Sequence, residues 1–314
     1  MMFRVTFLGT GGSIPQTNRA PSAVAVEREG DLMLFDCGEG TQRQMMRCGT
    51  GFTVDDIFIT HKHGDHLLGL PGLTQTWTFQ GRDEPVRIYC PESVADHVRG
   101  CVALAGHRPA YDVDVKPVGD GTVVRRDGYD VVAFETDHGR VDSVGYAVVE
   151  DERKGRFDRE RAEELGVPPG PMFSTLHNGE AVELEDGTVV EPEQVVGEPR
   201  PGRKFVYTGD TRPTDRTVEM ARDASLLVHD GMFGDDKKDR AVETGHSTAR
   251  EAAGVAREAD AELLALTHVS SRYSDDVSPL KAASLDEFAD SFVASDGDEV
   301  VVEYPEKERG TRRV

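Results

Sequence analysis

The 314-residue chain carries 58 acidic against 36 basic side chains, a formal net charge of −22, four cysteines and 37% hydrophobic residues. That length holds one large domain or two small ones with a full hydrophobic core. No apolar run reaches about 18 residues, and the start MMFRVTFLGTGGSIP has no apolar h-region before a cleavage-type site. A membrane span and a secretory signal are therefore not expected, and the expected location is the cytoplasm. The basic side chains divide into 8 lysines and 28 arginines. An acidic, lysine-poor surface repels itself in dilute buffer, but at about 1 M salt the Debye length falls to ~3 Å and the repulsion is screened, which reads as a halophile's composition. At such salt counterion release is weak, so net charge does not exclude nucleic acid as a partner.

In chain order, short apolar runs separated by Gly/Pro/Asn-rich turns predict strands at Arg4 to Leu8, Ala23 to Val26, Leu32 to Phe35 and Ile57 to Thr60. LLGLPGLTQTWTF after His66 reads as a helix interrupted near Pro71, followed by a strand at Val86 to Cys90 and a helix over Glu92 to Leu104. Three or four β-rich runs lie between Val113 and Val149. From about Asp151 to Arg203 a charge-dense helix candidate, Arg156 to Leu165, leads into Gly-, Pro- and Glu-rich sequence with little amphipathic period, which reads as an insertion. Compact alternation then returns: strands at Phe205 to Thr208, Leu226 to His229 and Leu263 to Thr267, helices at Ser247 to Ala259 and Pro279 to Phe292, and a last strand at Val300 to Tyr304. The pattern is α/β, in two halves with an arm inserted in the second.

The chemistry concentrates in His61-Lys62-His63-Gly64-Asp65-His66, directly after the apolar run Ile57 to Thr60. A strand end followed by a tight turn lets His61 and His63 point one way while Asp65 and His66 turn toward a second point. Imidazole and carboxylate suit Zn²⁺. Further ligands are expected at other strand ends, and His138, Asp210 and His268 each stand just past one. Cys37, Cys48, Cys90 and Cys101 contain no C-x-x-C and form neither a zinc ribbon nor a dense disulfide framework. Gly9-Thr10-Gly11-Gly12 lacks the third glycine of a dinucleotide loop, and Ser247 lies outside any G-x-S-x-G.

The ligand order resembles that of the metallo-β-lactamase superfamily. LGTGGSIP, FDCGEGTQRQM, FITHKHGDHLLGLPGL, ETDHG, YTGDTRP, GHST and LTHVSSRY resemble its tRNase Z branch, the tRNA 3′-processing endoribonucleases. GRFDRERAEELGVPPGPMF is similar to that branch's flexible arm with its Gly-Pro motif. The resemblance implies a single four-layer αββα metallo-β-lactamase sandwich over residues 1–314, with residues 151–203 as the flexible arm. It implies two Zn²⁺ per subunit, with Mn²⁺ as a substitute: one held by His61, His63, His138 and Asp210, the other by Asp65, His66, Asp210 and His268. Asp65 would also accept the proton of the attacking water, and His246 would give one to the leaving oxygen. The family's Glu partner for that histidine is Asp230 here, and its shorter side chain is expected to lengthen or water-bridge the pair.

The same resemblance implies precursor tRNA as substrate, a homodimer, and RNA contacts by Arg19 and Arg272, and the expected helix start at Ser247 and Thr248 offers backbone amides to a phosphate. The resemblance further implies an exosite on the arm that includes Arg156, Gly170 and Pro171. The family loop Pro-x-Lys-x-Arg-Asn matches positions 15–20 with Thr17 and Ala20 in place of Lys and Asn, which bears on how a CCA end is treated. The alternatives are a hydrolase of small esters or sulfate esters on the same fold, which would not need the arm, and a metal-free RNA-binding protein, which would lack ligands that are all present here.

Overall fold

Strict alternation along short strands gives each of two sheets one face for a shared core and one for a layer of helices. The computed structural model describes residues 3–104, 109–304, 306 and 310–314. The strands are β1 (Phe3–Gly9), β2 (Ala23–Arg28), β3 (Asp31–Phe35), β4 (Val54–Phe58), β5 (Val86–Pro91), β6 (Val113–Val118), β7 (Val123–Arg126), β8 (Tyr129–Glu135), β9 (Val144–Glu150), β10 (Val182–Glu183), β11 (Val189–Val190), β12 (Lys204–Tyr207), β13 (Leu226–Asp230), β14 (Leu264–Thr267), β15 (Ser291–Val293), β16 (Glu299–Val301) and β17 (Arg312–Arg313). The α-helices are α1 (Thr41–Cys48), α2 (Gly64–Leu67), α3 (Leu70–Phe79), α4 (Ala95–Ala103), α5 (Arg159–Glu164), α6 (Pro171–His177), α7 (Asp215–Ala221), α8 (Lys238–Thr244), α9 (Ala249–Glu258) and α10 (Ser278–Glu287).

An eight-stranded sheet has the order β17-β16-β1-β2-β3-β4-β5-β6, and a seven-stranded sheet the order β15-β14-β13-β12-β9-β8-β7. Phe3, Val5, Phe7, Met33, Phe35 and Phe58 of the first meet Tyr146, Val148, Phe205, Tyr207 and Val228 of the second in one buried cluster. The residues between them point outward: Leu34 and Ile57 pack with Leu73, Trp77 and Val98 of α3 and α4. On the other side Val206, Leu227 and Leu264 pack with Ala221, Ala252 and Leu280 of α7, α9 and α10. This is the αββα sandwich. Strands β3 to β6 run parallel to one another, as do β12 to β15. The loops after β3 and β4 therefore leave one sheet at a common end, as those after β12, β13 and β14 do in the other.

Residues Glu150–Gly202 form a separate unit. It has its own cluster of Ala162, Val167, Leu176, Val182, Val190 and Val195, and a β10–β11 ribbon. Here α5 starts later than the expected Arg156, because Asp158 caps it by accepting the Arg161 amide at 2.9 Å. The Gly/Pro stretch, expected to be irregular, contains α6. Pro171 occupies its first turn, and Gly170 before it sits at φ 153°, ψ −150°, a conformation essentially reserved for glycine.

Three other expectations are corrected. The strand expected at Val300 to Tyr304 is Glu299–Val301, and a further short strand, Arg312–Arg313, pairs with it. The helix expected over Pro279 to Phe292 stops at Glu287, and Ser291–Val293 instead pairs with β14. Phe292 and Val293 thereby reach opposite faces of the sheet, which a helix would not allow. The strand expected to run to Thr60 ends at Phe58, because the Thr60 amide leaves the ladder to donate to Asp36 Oδ1 at 2.8 Å.

Phe35 stands where the sheets meet, with ring centroids 5.0 Å from Phe58, 5.3 Å from Phe205, 6.0 Å from Tyr207 and 6.1 Å from Tyr146. Phe35→Ala is expected to lower unfolding free energy by about 3–5 kcal/mol, measured by denaturant titration in molar KCl.

Candidate metal centre

Every expected ligand arrives from a strand end or the turn after it. His61 follows β4, and His63 is the N-cap of the short helix α2 that carries Asp65 and His66. His138 follows β8, Asp210 follows β12, and His268 directly follows β14 at φ 58°. Ligand atoms of His61, His63, His138 and Asp210 lie within 4.8 Å of one another, and so do those of Asp65, His66 and His268. Asp210 joins the two groups: its Oδ2 is 3.6 Å from His61 Nε2, 3.8 Å from His138 Nε2 and 3.3 Å from His268 Nε2, and its Oδ1 is 3.3 Å from His66 Nε2.

The donor set fits a divalent metal for a further reason. His61 Nε2, His66 Nε2 and Asp210 Oδ1 are buried without a hydrogen-bond partner, an arrangement that polar atoms in a protein interior rarely adopt. Their other ring nitrogens are engaged from behind. His61 Nδ1 is 3.0 Å from Thr60 Oγ1, His66 Nδ1 is 2.7 Å from Asp36 Oδ2, and His138 Nδ1 is 2.8 Å from the Gly245 carbonyl. Such contacts fix the tautomer that leaves Nε2 facing inward. Burial, followed by the neighbouring His66, holds His61 well below the usual imidazole range. The Ser13 amide donates to Asp65 Oδ2 at 2.7 Å. Gly209, at φ 61°, lets the chain pass Thr60, whose Cγ2 would be 2.7 Å from an added Cβ.

His246 adjoins the cluster, its ring stacked on His268 at 5.0 Å and 4.8 Å from that of His138. Its Nδ1 hydrogen-bonds directly with Asp230 Oδ2 at 2.8 Å, so the shorter carboxylate closes the pair without a bridging water. Burial pushes the imidazole down, but Asp230's charge and hydrogen bond outweigh it and carry His246 up to about 9. Asp210, Asp230, His246 and His268 also satisfy the metal-ligand distances. Asp230, however, is already committed: it accepts the Met232 amide at 2.9 Å and the Thr211 amide at 3.2 Å besides His246.

Two expected RNA contacts point elsewhere. Arg19 is buried, and its Nη1 donates to Thr10 Oγ1 at 2.6 Å and the Ala294 carbonyl at 2.5 Å; it braces the interior instead of facing a phosphate. Thr248 is buried as the N-cap of α9, and its amide is spent on Glu251 Oε2 at 3.0 Å. Arg272 is exposed in the turn Ser271–Tyr273, with Nη1 3.4 Å from Ser270 Oγ. Arg156, Gly170 and Pro171 are exposed within the separate unit. Sequence reasoning missed Asp36, which accepts from Thr60, His66 and Tyr207. The available signal was its position after β3, the same strand-end placement that marks the ligands.

Residues 179–269 match the beta-lactamase superfamily domain, and residues 3–153 match the family of the anti-Pycsar protein Apyc1. Ribonuclease Z of Natronomonas pharaonis is 60% identical over 309 residues, covering 98% of this chain and 100% of the relative. Ribonuclease Z of Haloferax volcanii is 57% identical, covering 99% and 98%. Among solved structures, human tRNase Z, short form, superposes with a TM-score of 0.67 at 29% identity, over 96% of this chain and 99% of that one.

Asp36→Asn keeps the side-chain size but removes the charge behind His66. Metal affinity is expected to fall about 10–100-fold, measured by competition with a chelator.

Proposed function

The chain belongs to the ribonuclease Z family of tRNA 3′-processing endoribonucleases, and from that membership we propose how its residues divide the work. It is an endoribonuclease that trims tRNA precursors at the 3′ end with a divalent metal. The reading is carried by one observation: seven His and Asp side chains converge around buried nitrogen and oxygen atoms that have no protein partner. We assign two Zn²⁺ per subunit to them, one to His61, His63, His138 and Asp210 and one to Asp65, His66, Asp210 and His268, with Mn²⁺ as a substitute. When bound, such a pair supplies Lewis acidity that polarises the scissile phosphate and makes a water acidic enough to attack near neutral pH.

The chain's own groups do the rest. Asp65, held by the Ser13 amide, accepts the proton of the attacking water. His246, kept protonated by Asp230, gives a proton to the departing 3′-oxygen. No 2′-hydroxyl takes part, so the products are a tRNA with a 3′-hydroxyl and a trailer with a 5′-phosphate. Exposed Arg272 is the phosphate contact nearest in sequence to His268. The unit Glu150–Gly202, with Arg156, Gly170 and Pro171, is the exosite for the body of the tRNA. The reading includes a homodimer, which rests on family membership. No helix among the described residues is long and apolar enough to cross a membrane, which suits a cytoplasmic enzyme meeting its precursors there. No observation favours a small-ester substrate.

A 5′-labelled precursor with a 3′ trailer, incubated with Zn²⁺ or Mn²⁺ from low to molar KCl, is expected to give a single cut at the acceptor end with a 3′-hydroxyl. Absence of a cut at every salt, with metal bound, would overturn the reading. Asp65→Ala should abolish cleavage, and His246→Ala should lower kcat by about 10²–10⁴-fold, both with precursor binding retained. Sedimentation equilibrium in molar KCl is expected to return twice the 34.4 kDa chain mass.

A further inference from the structure

We infer that Arg212 and Glu251 form a clamp that sets where the His246 imidazole stands, which makes Arg212 a positioning residue for the proton donor. The inference rests on the role given to His246 above. His61, His138, Asp210 and His268 each follow a strand, whereas His246 lies in the turn between α8 and α9. Gly245 closes α8 at φ 72° and Thr248 caps α9; the His246 amide donates to the Ala241 carbonyl at 2.8 Å and Thr248 bridges to Phe233, while the His246 carbonyl is left to a side chain.

Arg212 takes that carbonyl. Its Nη1 donates to the His246 carbonyl at 2.6 Å, and its fork pairs with Glu251 through Nη1–Oε2 and Nη2–Oε1, both 2.7 Å. Glu251 Oε2 also accepts the Thr248 amide at 3.0 Å. One ion pair thus holds the carbonyl of His246 and the amide two residues later. Between them, Ser247 Oγ donates to the Thr211 carbonyl at 2.6 Å. The Thr211 amide in turn reaches Asp230 Oδ2, the oxygen that hydrogen-bonds His246 Nδ1.

Asp210, Thr211 and Arg212 are consecutive, so the segment that carries the carboxylate shared by the two ligand groups also grips the backbone of His246 and the partner of its ring. The Arg212 amide closes a third link, to the Asp137 carbonyl at 2.7 Å, one residue before His138. The side chains of Arg212 and Glu251 are only 17% and 16% exposed, so water competes weakly for the pair. A lysine could not reproduce three contacts from a planar fork.

The test is a double-mutant cycle on precursor cleavage, with metal content and precursor binding measured on each protein. A misplaced catalytic group can cost about 100-fold. Arg212→Ala is therefore expected to lower kcat by about 10–100-fold with KM, metal content and precursor binding unchanged. Arg212→Lys should recover part of that loss, and Arg212→Ala/His246→Ala should be no slower than His246→Ala alone. Glu251→Gln, which keeps the helix cap, should give a smaller loss of the same kind and covers the case in which Arg212→Ala does not fold. A normal kcat in both Arg212→Ala and Glu251→Gln beside a crippled His246→Ala would overturn the clamp alone, as would losses that multiply in the double variant or a loss of metal. A normal rate in His246→Ala would instead overturn the proton-donor reading on which the clamp rests.

Discussion

The carboxylate of Asp36 is the constraint on which the centre depends. It is fully buried just past β3, at φ 56°, and a buried charge persists only where donors surround it. Thr60 supplies its amide and hydroxyl, His66 its Nδ1 at 2.7 Å, and Tyr207 its hydroxyl at 2.9 Å. Those donors come from the loop after β4, from α2 and from β12 in the opposite sheet. Satisfying one carboxylate therefore fixes the start of the His61 loop, the ring plane of His66 and the distance between the sheets. The candidate ligands His61 and Asp210, which follow β4 and β12, inherit their positions from it.

Much of this was legible in the sequence, for a physical reason. A polar residue directly after an apolar strand is a local pattern, and His61, His138, Asp210 and His268 all obey it. The strands themselves follow from a period of two, and Met33-Leu34-Phe35 divides between core and helix layer as that period requires. What was not legible depends on residues distant in the chain. Arg19 looks like a surface arginine beside Asn18, and only the fold brings the Ala294 carbonyl, 275 positions away, to its guanidinium. The Thr248 amide looked free because the claim of Glu251 on it exists only once α9 forms. The helix expected through Phe292 fails because pairing with β14 offers that segment two buried faces. The Asp230–His246 contact closes directly because the turn brings His246 to the strand end, a distance that side-chain length alone does not fix.

The acidic composition acts at the surface and leaves the centre alone. Exposed and half-buried arginines spend their charge on neighbouring acids: Arg250 on Asp235 and Asp286, Arg257 on Glu287, Arg216 on Asp120 and Glu219. Single exposed pairs contribute little in dilute buffer. Their use here agrees with the preference for arginine over lysine, since a guanidinium is more weakly hydrated than an ammonium and pairs in a defined fork. Recognition of a polyanion by such a protein rests on a few placed cations and on shape, because the whole-molecule field has the wrong sign.

The pairing of β1 with β16, Arg4 opposite Val301, joins the two ends of the chain in one sheet. A ribosome adds roughly 5–20 residues per second, so β1 waits on the order of 15–60 s for its neighbour. The candidate ligands lie within that interval, from His61 to His268. A chain cut short before His268 therefore has neither a closed first sheet nor a complete centre. Nuclease activity against cellular RNA becomes available only to a molecule in which the strand before His268 has been made and paired, so the topology itself delays the chemistry until both sheets have formed around it.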